Sequence, residues 1–375
     1  MQNILKVVTI TPKVPPYICG IGDYTINLAK YCKHYQGVDI NLLVEKSCQP
    51  ASEPVTILPY IENWSIESCR KIIHWLQEEK VKTVILQYAP GLYLHKGYNK
   101  DLIIFWKECA KKFQTLLIVH ETYYWFIKYP GTWLKGIVKQ YVLCSLVRTS
   151  DHIFCGSELY LNHIKRFSNN SEKIHYLPIP NNIPPQYFSD NQKQALRQKL
   201  EISPQQIVLT LFGCLASIRQ NWVKKLDIYL KEIGYSVTWL LLGEAKHVQI
   251  SFCNPVIRPG TLSAQDLSYY LQISDVLLMP HEFGIGAKRT SLMSAIEHGI
   301  PVVGTDARLT DSFLRQLPSI FLVSDGNYRA FQEQLINILQ QKSNLENAIQ
   351  LTQEYYQKHL SWKNVIQILL PYLQA

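Results

Sequence analysis

The feature that most constrains this chain is an alternation. Short, continuously apolar runs of strand-forming residues are separated by helix-length amphipathic segments, nearly from end to end. In the first half, strands are expected at Ile4–Thr11, Val38–Glu45, Val81–Tyr88, Leu116–His120, His152–Ser157 and Ile174–Pro178. Helices between them include Asp23–Tyr35, Ile66–Glu79, Leu102–Lys112 and Leu134–Val147. The second half repeats the pattern, with strands at Ile207–Phe212, Val237–Leu242, Val276–Met279, Pro301–Gly304 and Ile320–Val323. Its helices are Val223–Ile233, Ala264–Gln272, Arg289–Glu297 and Arg329–Gln340, followed by two terminal stretches, roughly Leu345–His359 and Trp362–Leu373. A strand with apolar residues at every position is buried on both faces. Helices must then cover each face, so the chain predicts doubly wound parallel α/β sheets.

At 375 residues the chain is too long for one ordinary core, and two domains are expected. The stretch PIPNNIPPQYFSDN, residues 178–191, is rich in Pro and Asn and has no periodicity, so it reads as the linker. The expected domains are 1–183 and 184–359, both Rossmann-like. Ligands of such domains sit at the carboxyl ends of the strands, which here would border an interdomain cleft.

Composition narrows the class. Apolar residues make up 47% and charged residues 18%, enough for large cores and too little charge for disorder. No apolar run reaches transmembrane length. The opening MQNILKVVTIT reads as a first strand and not as a signal peptide. Nine scattered cysteines with no C-x-x-C pair indicate reduced thiols and a cytoplasmic protein. The net charge of +9 suits nucleic acid, anionic lipid or phosphorylated substrates. Zinc-finger spacing, long Lys/Arg blocks and RNA-binding aromatic signatures are lacking, so no nucleic-acid partner is expected.

Three loops carry the chemistry. The first is PKVPPYICGIGDY, between the first strand and its helix, with Gly20, Gly22, Asp23 and Tyr24. G-x-G after a first strand, with Glu45 ending the second, suggests a dinucleotide site and an NAD enzyme. Thr25 stands at the third glycine position, however, and eight residues separate Thr11 from Gly20, whereas the fingerprint turns directly off the strand. The better reading is a loop whose glycines let the backbone close on a ligand, with helix amides facing it; the alternative makes Asp23 an N-cap.

The second loop lies in MPHEFGIGAKRTSLMSAIEHGIPVVGT. Gly284, Ile285 and Gly286 lead to Lys288, Arg289, Thr290 and Ser291 at a helix start, where amides attract anions and the two cations reinforce them. A diphosphate suits this chemistry; a solvated Lys-Arg pair is the plain alternative. The third loop runs from Gly213 through Ser217 to Arg219, again a glycine at a strand end followed by a cation. If the sheets are parallel, all three cations come from one rim.

His120 and Glu121 end a further buried strand, LLIVHE. Such a histidine is either structural or functional. Beyond it, Tyr123, Tyr124, Trp125, Phe126, Tyr129 and Trp133 are interleaved with Lys128, Lys135 and Lys139. That mixture suits a membrane interface or a sugar-stacking surface, or else a loop packed on its own domain. Walker, H-E-x-x-H and G-x-S-x-G motifs are absent, as is any Asp-x-Asp metal-diphosphate clamp, so no metal and no cofactor are expected.

These pieces, in this order and spacing, resemble the family 4 ("group 1") retaining glycosyltransferases of GT-B fold. The match runs over nearly the whole chain: PPYICGIGDYTINLAK, VKTVILQYAP, LLIVHE, HIFCGSELY, YLPIPNNIP, LTLFGCLAS, LLLGE, SYYLQISDVLLMP, SLMSAIEHGIPVVGT and SWKNVIQILLPYL. The resemblance implies a nucleoside diphosphate sugar as co-substrate, held by the second domain, and a carbohydrate or lipid-linked acceptor on the first. It implies transfer with retention of configuration. His120 matches a histidine that touches the donor sugar, and Gly22 a glycine that approaches the diphosphate. Arg219, Lys288 and Arg289 would act on the leaving diphosphate beside Gly213, Ser217, Gly284, Ile285, Gly286, Thr290 and Ser291. Glu244, Arg258 and Ser294 fall to the nucleoside, and Gly20, Asp23, Tyr24 and Glu121 to the acceptor side. The final helix, about 360–375, would pack back on the first domain.

The sequence departs from the family at two points. Where the family carries Glu, seven residues, Glu, this chain has Gly286 and Ser294, and where it carries Arg and then Lys, this chain has Cys214 and Arg219. A catalytically silent GT-B binding protein is therefore the alternative to an enzyme. The basic charge and the aromatic-lysine stretch add the expectation of a peripheral contact with an anionic membrane on its cytoplasmic face.

Overall fold

The computed structural model describes residues 7–17, 19–48, 54–93, 99–122, 133–213, 218–243, 250–341 and 344–373, with only the backbone for 133–135. The chain divides into two compact units, Met1–Pro178 with Trp362–Ala375, and Ile179–Ser361.

In the first unit the strands are β1 (Val7–Ile10), β2 (Ile40–Glu45), β3 (Ile57–Ile61), β4 (Thr83–Tyr88), β5 (Gln114–Val119), β6 (His152–Cys155) and β7 (Ile174–Tyr176). Its helices are α1 (Gly20–Gln36), α2 (Ile66–Glu78), α3 (Pro90–Tyr93), α4 (Lys100–Ala110), α5 (Trp133–Thr149) and α6 (Glu158–Lys165), joined at the chain's end by α13 (Trp362–Leu373). The second unit holds α7 (Asp190–Lys199), β8 (Ile207–Phe212), α8 (Gln220–Glu232), β9 (Val237–Leu242), β10 (Val256–Ile257), α9 (Ala264–Gln272), β11 (Val276–Met279), α10 (Thr290–Glu297), β12 (Val302–Asp306), β13 (Ile320–Ser324), α11 (Tyr328–Gln340) and α12 (Glu346–His359).

The sheets run β3-β2-β1-β4-β5-β6-β7 and β10-β9-β8-β11-β12-β13, with every pairing parallel. The continuous apolar runs explain this. In β8 and β9, Val208, Leu240 and Leu242 enter one core while Leu209, Leu211, Trp239 and Leu241 enter another. Successive side chains point to opposite faces, so an all-apolar strand feeds two cores at once. Each sheet winds outward in both directions from one pair of strands: β1 and β4 in the first, β8 and β11 in the second. Ligand crevices open beyond the carboxyl ends of such pairs.

Several elements were not expected. Strands β3 and β10 are edge strands, where Pro59 and a two-residue length are tolerated. Helix α7 begins inside the expected linker, where Ser189 and Gln192 form a capping box. Helix α1 starts at Gly20 with Cys19 as its N-cap, so Asp23 is a first-turn residue and not the cap. Ring stacking on Tyr31, centroids 5.2 Å apart, holds Trp362 of α13 against α1. Among the described residues no helix is long and apolar enough to cross a membrane.

Candidate functional site

In the second unit the loops after β8 and β11 meet. Ile218 and His281 form an antiparallel bridge, and the Arg219 amide donates to the Pro280 carbonyl at 2.7 Å. Gly213, at φ +100°, ends β8 in a conformation that disfavours other residues. A Cβ there would lie 3.2 Å from Ser291 Oγ, so the end of β8 adjoins the first turn of α10. The strand-end glycine, the α10 start and Arg219 thus share one rim, at the point where the winding of the sheet reverses.

That helix start has no side-chain cap. Arg289 occupies the N-cap position and makes no side-chain cap, and α8, with Arg219 at its N-cap, lacks one too. By contrast Ser65, Asn99, Ser189, Ser263 and Asn327 cap α2, α4, α7, α9 and α11, while α1, α6 and α12 lack a side-chain cap as α8 and α10 do. First-turn amides without a capping side chain retain their partial positive charge. Lys288, Arg289 and Thr290 are half-buried there, and Ser291 is buried.

Arg219 is held in place. Its guanidinium pairs with Asp325, just past β13, and lies 5.0 Å over the Trp222 ring. Asp325 and Trp222 went unnoticed in the sequence. Asp325-Gly326 follows a strand's carboxyl end just as Gly213 and Pro280 do, so the same strand-end rule would have found it. Gly243, at φ +91°, is a similar omission: it ends β9 and packs on Gly213, whose carbonyl oxygen would lie 3.0 Å from an added Cβ.

Other expectations are corrected. At Gly284 and Gly286 the space a side chain would take is filled by the protein itself. A Cβ at Gly286 would lie 2.5 Å from the Leu309 carbonyl oxygen, and one at Gly284 would lie 2.7 Å from the Ala307 nitrogen. Both glycines admit the turn after β12. Ile285 is a core residue whose amide donates to the Thr305 carbonyl, and the neighbouring Ala287 amide donates to Asp311 Oδ2 at 2.7 Å. Ser294, expected at the nucleoside, is fully buried, and its hydroxyl donates to Asn181 Oδ1 of the chain's own linker at 2.5 Å. Glu297 accepts from Asn181 Nδ2 at 2.8 Å in the same network, and burial raises its carboxyl above the usual range. Arg258 is exposed beyond edge strand β10, two strands away from β8. Ser217, Glu244 and Cys214 lie outside the described residues.

In the first unit, His120 follows β5 and is buried. Its Nε2 lies 2.7 Å from Gln87 Oε1, and Gln87 Nε2 donates to Thr9 Oγ1 at 3.3 Å. The edge of Tyr24 packs on the imidazole at 5.1 Å, and Tyr24 also contacts Trp362 at 5.2 Å. Tyr24, expected on an acceptor surface, is a core residue; burial raises its phenol well above the usual range. Gly20 and Gly22 lie within the first turn of α1, not in a loop. Gly22 packs on the strand-following segment, where a Cβ would lie 2.6 Å from the Lys13 carbonyl oxygen, while Gly20 has open space around it. Asp23 is half-buried and Glu121 exposed. The residues from Tyr123 to Tyr129 lie outside the described residues, as do the side chains of Trp133 and Lys135. Among the described residues, no cluster of three or more His, Cys, Asp or Glu side chains could hold a metal ion.

No protein family's sequence pattern and no curated protein matches the chain. Solved structures do. Anabaena Alr3699/HepE in complex with UDP and glucose shares 12% identity over 99% of each chain, at a TM-score of 0.71. WaaG, a glycosyltransferase involved in lipopolysaccharide biosynthesis, shares 13% identity over 96% of this chain and 98% of its own, at 0.66. The UDP-GlcNAc 2-epimerase from Neisseria meningitidis, bound to UDP-GlcNAc, shares 12% identity over 99% of this chain and 100% of its own, at 0.60. At such identities the likeness is one of fold: this chain has the GT-B architecture, two Rossmann-like units of wholly parallel sheet in one polypeptide.

Proposed function

We propose that the protein transfers a glycosyl group from a nucleoside diphosphate sugar to a hydroxyl acceptor. The observation that carries this reading is the uncapped start of α10, with Lys288 and Arg289, against the glycine that ends β8. UDP in the HepE structure and UDP-GlcNAc in the epimerase structure support a uridine nucleotide as the ligand. The diphosphate then meets the first-turn amides of α10, Lys288, Arg289 and Arg219.

The chemical demand is charge. As the bond from the sugar's anomeric carbon to the phosphate oxygen breaks, its electron pair moves to the diphosphate. Fixed cations and amides stabilise that developing charge more than they stabilise the ground state. The acceptor oxygen bonds to the anomeric carbon, and its proton passes to the departing phosphate oxygen. Attack on the face the phosphate leaves retains the configuration and needs no protein nucleophile. No protein-held metal enters this scheme. The first unit supplies a hydroxyl-binding site around His120.

The basic charge supports a peripheral contact with an anionic membrane. Ile137 and Tyr141, 52% and 55% exposed one turn apart on α5, would form part of it. Flotation with anionic liposomes at low salt tests this, and absence of binding there removes it.

The central test is a thermal-shift screen of UDP-, GDP- and ADP-sugars followed by product analysis. A ligand at a hundredfold its dissociation constant adds roughly 2.7 kcal/mol of stability. Binding with release of nucleotide and a new glycoside supports the proposal. Binding without turnover indicates a silent binding protein, and an altered sugar nucleotide indicates an epimerase. A complete lack of binding overturns the reading.

A further inference from the structure

Two neighbouring strands of the first sheet, β6 and β7, present a pair of histidines on one face. His175 lies opposite Phe154 in the register of the two strands, so His152, two positions before Phe154, shares its side of the sheet. His152 Nδ1 and His175 Nε2 face each other at 3.5 Å. That gap is long for a hydrogen bond donated by N–H, ordinarily about 2.7–3.2 Å. It is close to the separation, about 3.3–3.4 Å, of two nitrogens bound to one tetrahedral ion at about 2.0–2.1 Å. Tyr372 of α13 covers the pair. Its ring packs on His152 with centroids 4.4 Å apart and on His175 at 4.7 Å, and its hydroxyl stands 3.4 Å from His175 Nδ1, the nitrogen turned away from His152. Phe154 backs the His175 ring at 5.1 Å. Both histidines are half-buried, so the rings are fixed by packing and still reached by solvent. Burial holds both imidazoles below their ordinary value. His152 pushes His175 further that way; at His152 the Asp151 carboxylate opposes the effect and Lys173 adds to it. Neutral imidazole is the form that binds a metal.

We propose that His152 Nδ1 and His175 Nε2 form a two-histidine site for a divalent transition-metal ion of the zinc type, with water in its remaining positions. Imidazole nitrogens suit Zn2+, Cu2+ or Ni2+ and not Mg2+ or Ca2+, whose ligands are oxygens. Tyr372 holds the His175 ring from its far side, as the outer partner of a metal-bound histidine does. The bound ion ties β6 to β7 beneath the end of α13 and thereby stabilises the folded first unit. The two histidines stand 23 positions apart on different strands, so no helical His spacing announces them in the sequence. The site is independent of the glycosyl-transfer reading.

The test uses the full-length protein, stripped with a chelator and then given Zn2+ alone. Labelling by diethylpyrocarbonate, mapped by peptide mass, is expected to slow at both His152 and His175 when Zn2+ is added and to be unchanged by Mg2+. Zn2+ is also expected to raise the melting temperature of the wild type. His152→Asn and His175→Asn each leave one imidazole, which cannot chelate, and each is expected to lose that rise. Tyr372→Phe keeps the ring and removes the hydroxyl. Calorimetry is expected to show Zn2+ affinity roughly tenfold weaker there, at a metal-free melting temperature near that of the wild type. Labelling rates at both histidines that ignore Zn2+ in the wild type overturn the proposal, whether or not any variant folds. So does a zinc-dependent rise in melting temperature that survives in both histidine variants.

Discussion

The Arg219 guanidinium is paired with Asp325 across 106 positions of sequence, and it lies 5.0 Å over the Trp222 ring. A cation at the rim of the second sheet is therefore partly neutralised by the protein's own carboxylate. An anionic ligand arriving there competes with Asp325 for Arg219. Asp325→Asn is expected to tighten UDP binding several-fold at low salt, and Arg219→Ala to weaken it and to lower turnover by orders of magnitude; one donor to a developing oxyanion contributes roughly 3–4 kcal/mol. Titration calorimetry with both variants checks the first effect. Equal UDP affinity across wild type and both variants would place Arg219 outside the anion site.

Ser294 and Asn181 form a structural joint between the linker and α10. Asn181 also donates to Glu297, and its own amide donates to the Tyr356 hydroxyl at 2.9 Å. Asn181→Ala leaves several buried groups unmatched and is expected to destabilise the second unit by roughly 1–3 kcal/mol. Ser294→Ala is expected to cost about 1 kcal/mol while leaving nucleotide affinity unchanged. Urea unfolding and a UDP titration on the same samples separate the two effects.

The same network makes stability depend on pH. Burial raises the Glu297 carboxyl above its ordinary value, so the folded state binds more protons than the unfolded state. Stability from this group is then full below the unfolded carboxylate pKa and is lost as pH rises through the folded one. Glu297→Gln is expected to flatten that decline and to gain stability relative to wild type at neutral pH. Urea midpoints between acidic and neutral pH provide the measurement, and a wild-type midpoint that climbs as strongly as the variant's contradicts it.

Glycines at the start of α1 and before α10 should behave unequally. Gly286→Ala drives a Cβ to 2.5 Å from the Leu309 backbone oxygen, and Gly22→Ala drives one to 2.6 Å from that of Lys13. Each is expected to cost about 1–3 kcal/mol, because backbone cannot yield as a flexible side chain can. Gly20→Ala meets nothing within 4 Å and is expected to be neutral or mildly stabilising. Thermal melts of the three variants test the ranking.

Trp362 is buried between Tyr24 and Tyr31, and its contacts join the chain's last helix to α1. Trp362→Ala is expected to destabilise the first unit by roughly 3–5 kcal/mol. Tyr24 lies between Trp362 and His120, so the variant should also broaden the His120 imidazole resonance. A sharp, unshifted signal would show that the helix does not help to set the ring.

What the sequence determined by itself was the local grammar. Leu209 and Leu240 sit in runs apolar at every position, which only a sheet covered on both faces can bury, and the strand-end glycines and cations mark where its loops open. Loop composition also located the α10 start, because helix amides and adjacent Lys and Arg act over a few residues. Tertiary structure alone decided which side chains face the opening. Ile285 points into the core, Ser294 toward Asn181, and Gly284 and Gly286 yield their space to the turn near Leu309. Those outcomes depend on strands β11 and β12 lying side by side and on partners tens to hundreds of residues away. Periodicity reports how a segment buries itself; it carries no information about which distant segment arrives against it.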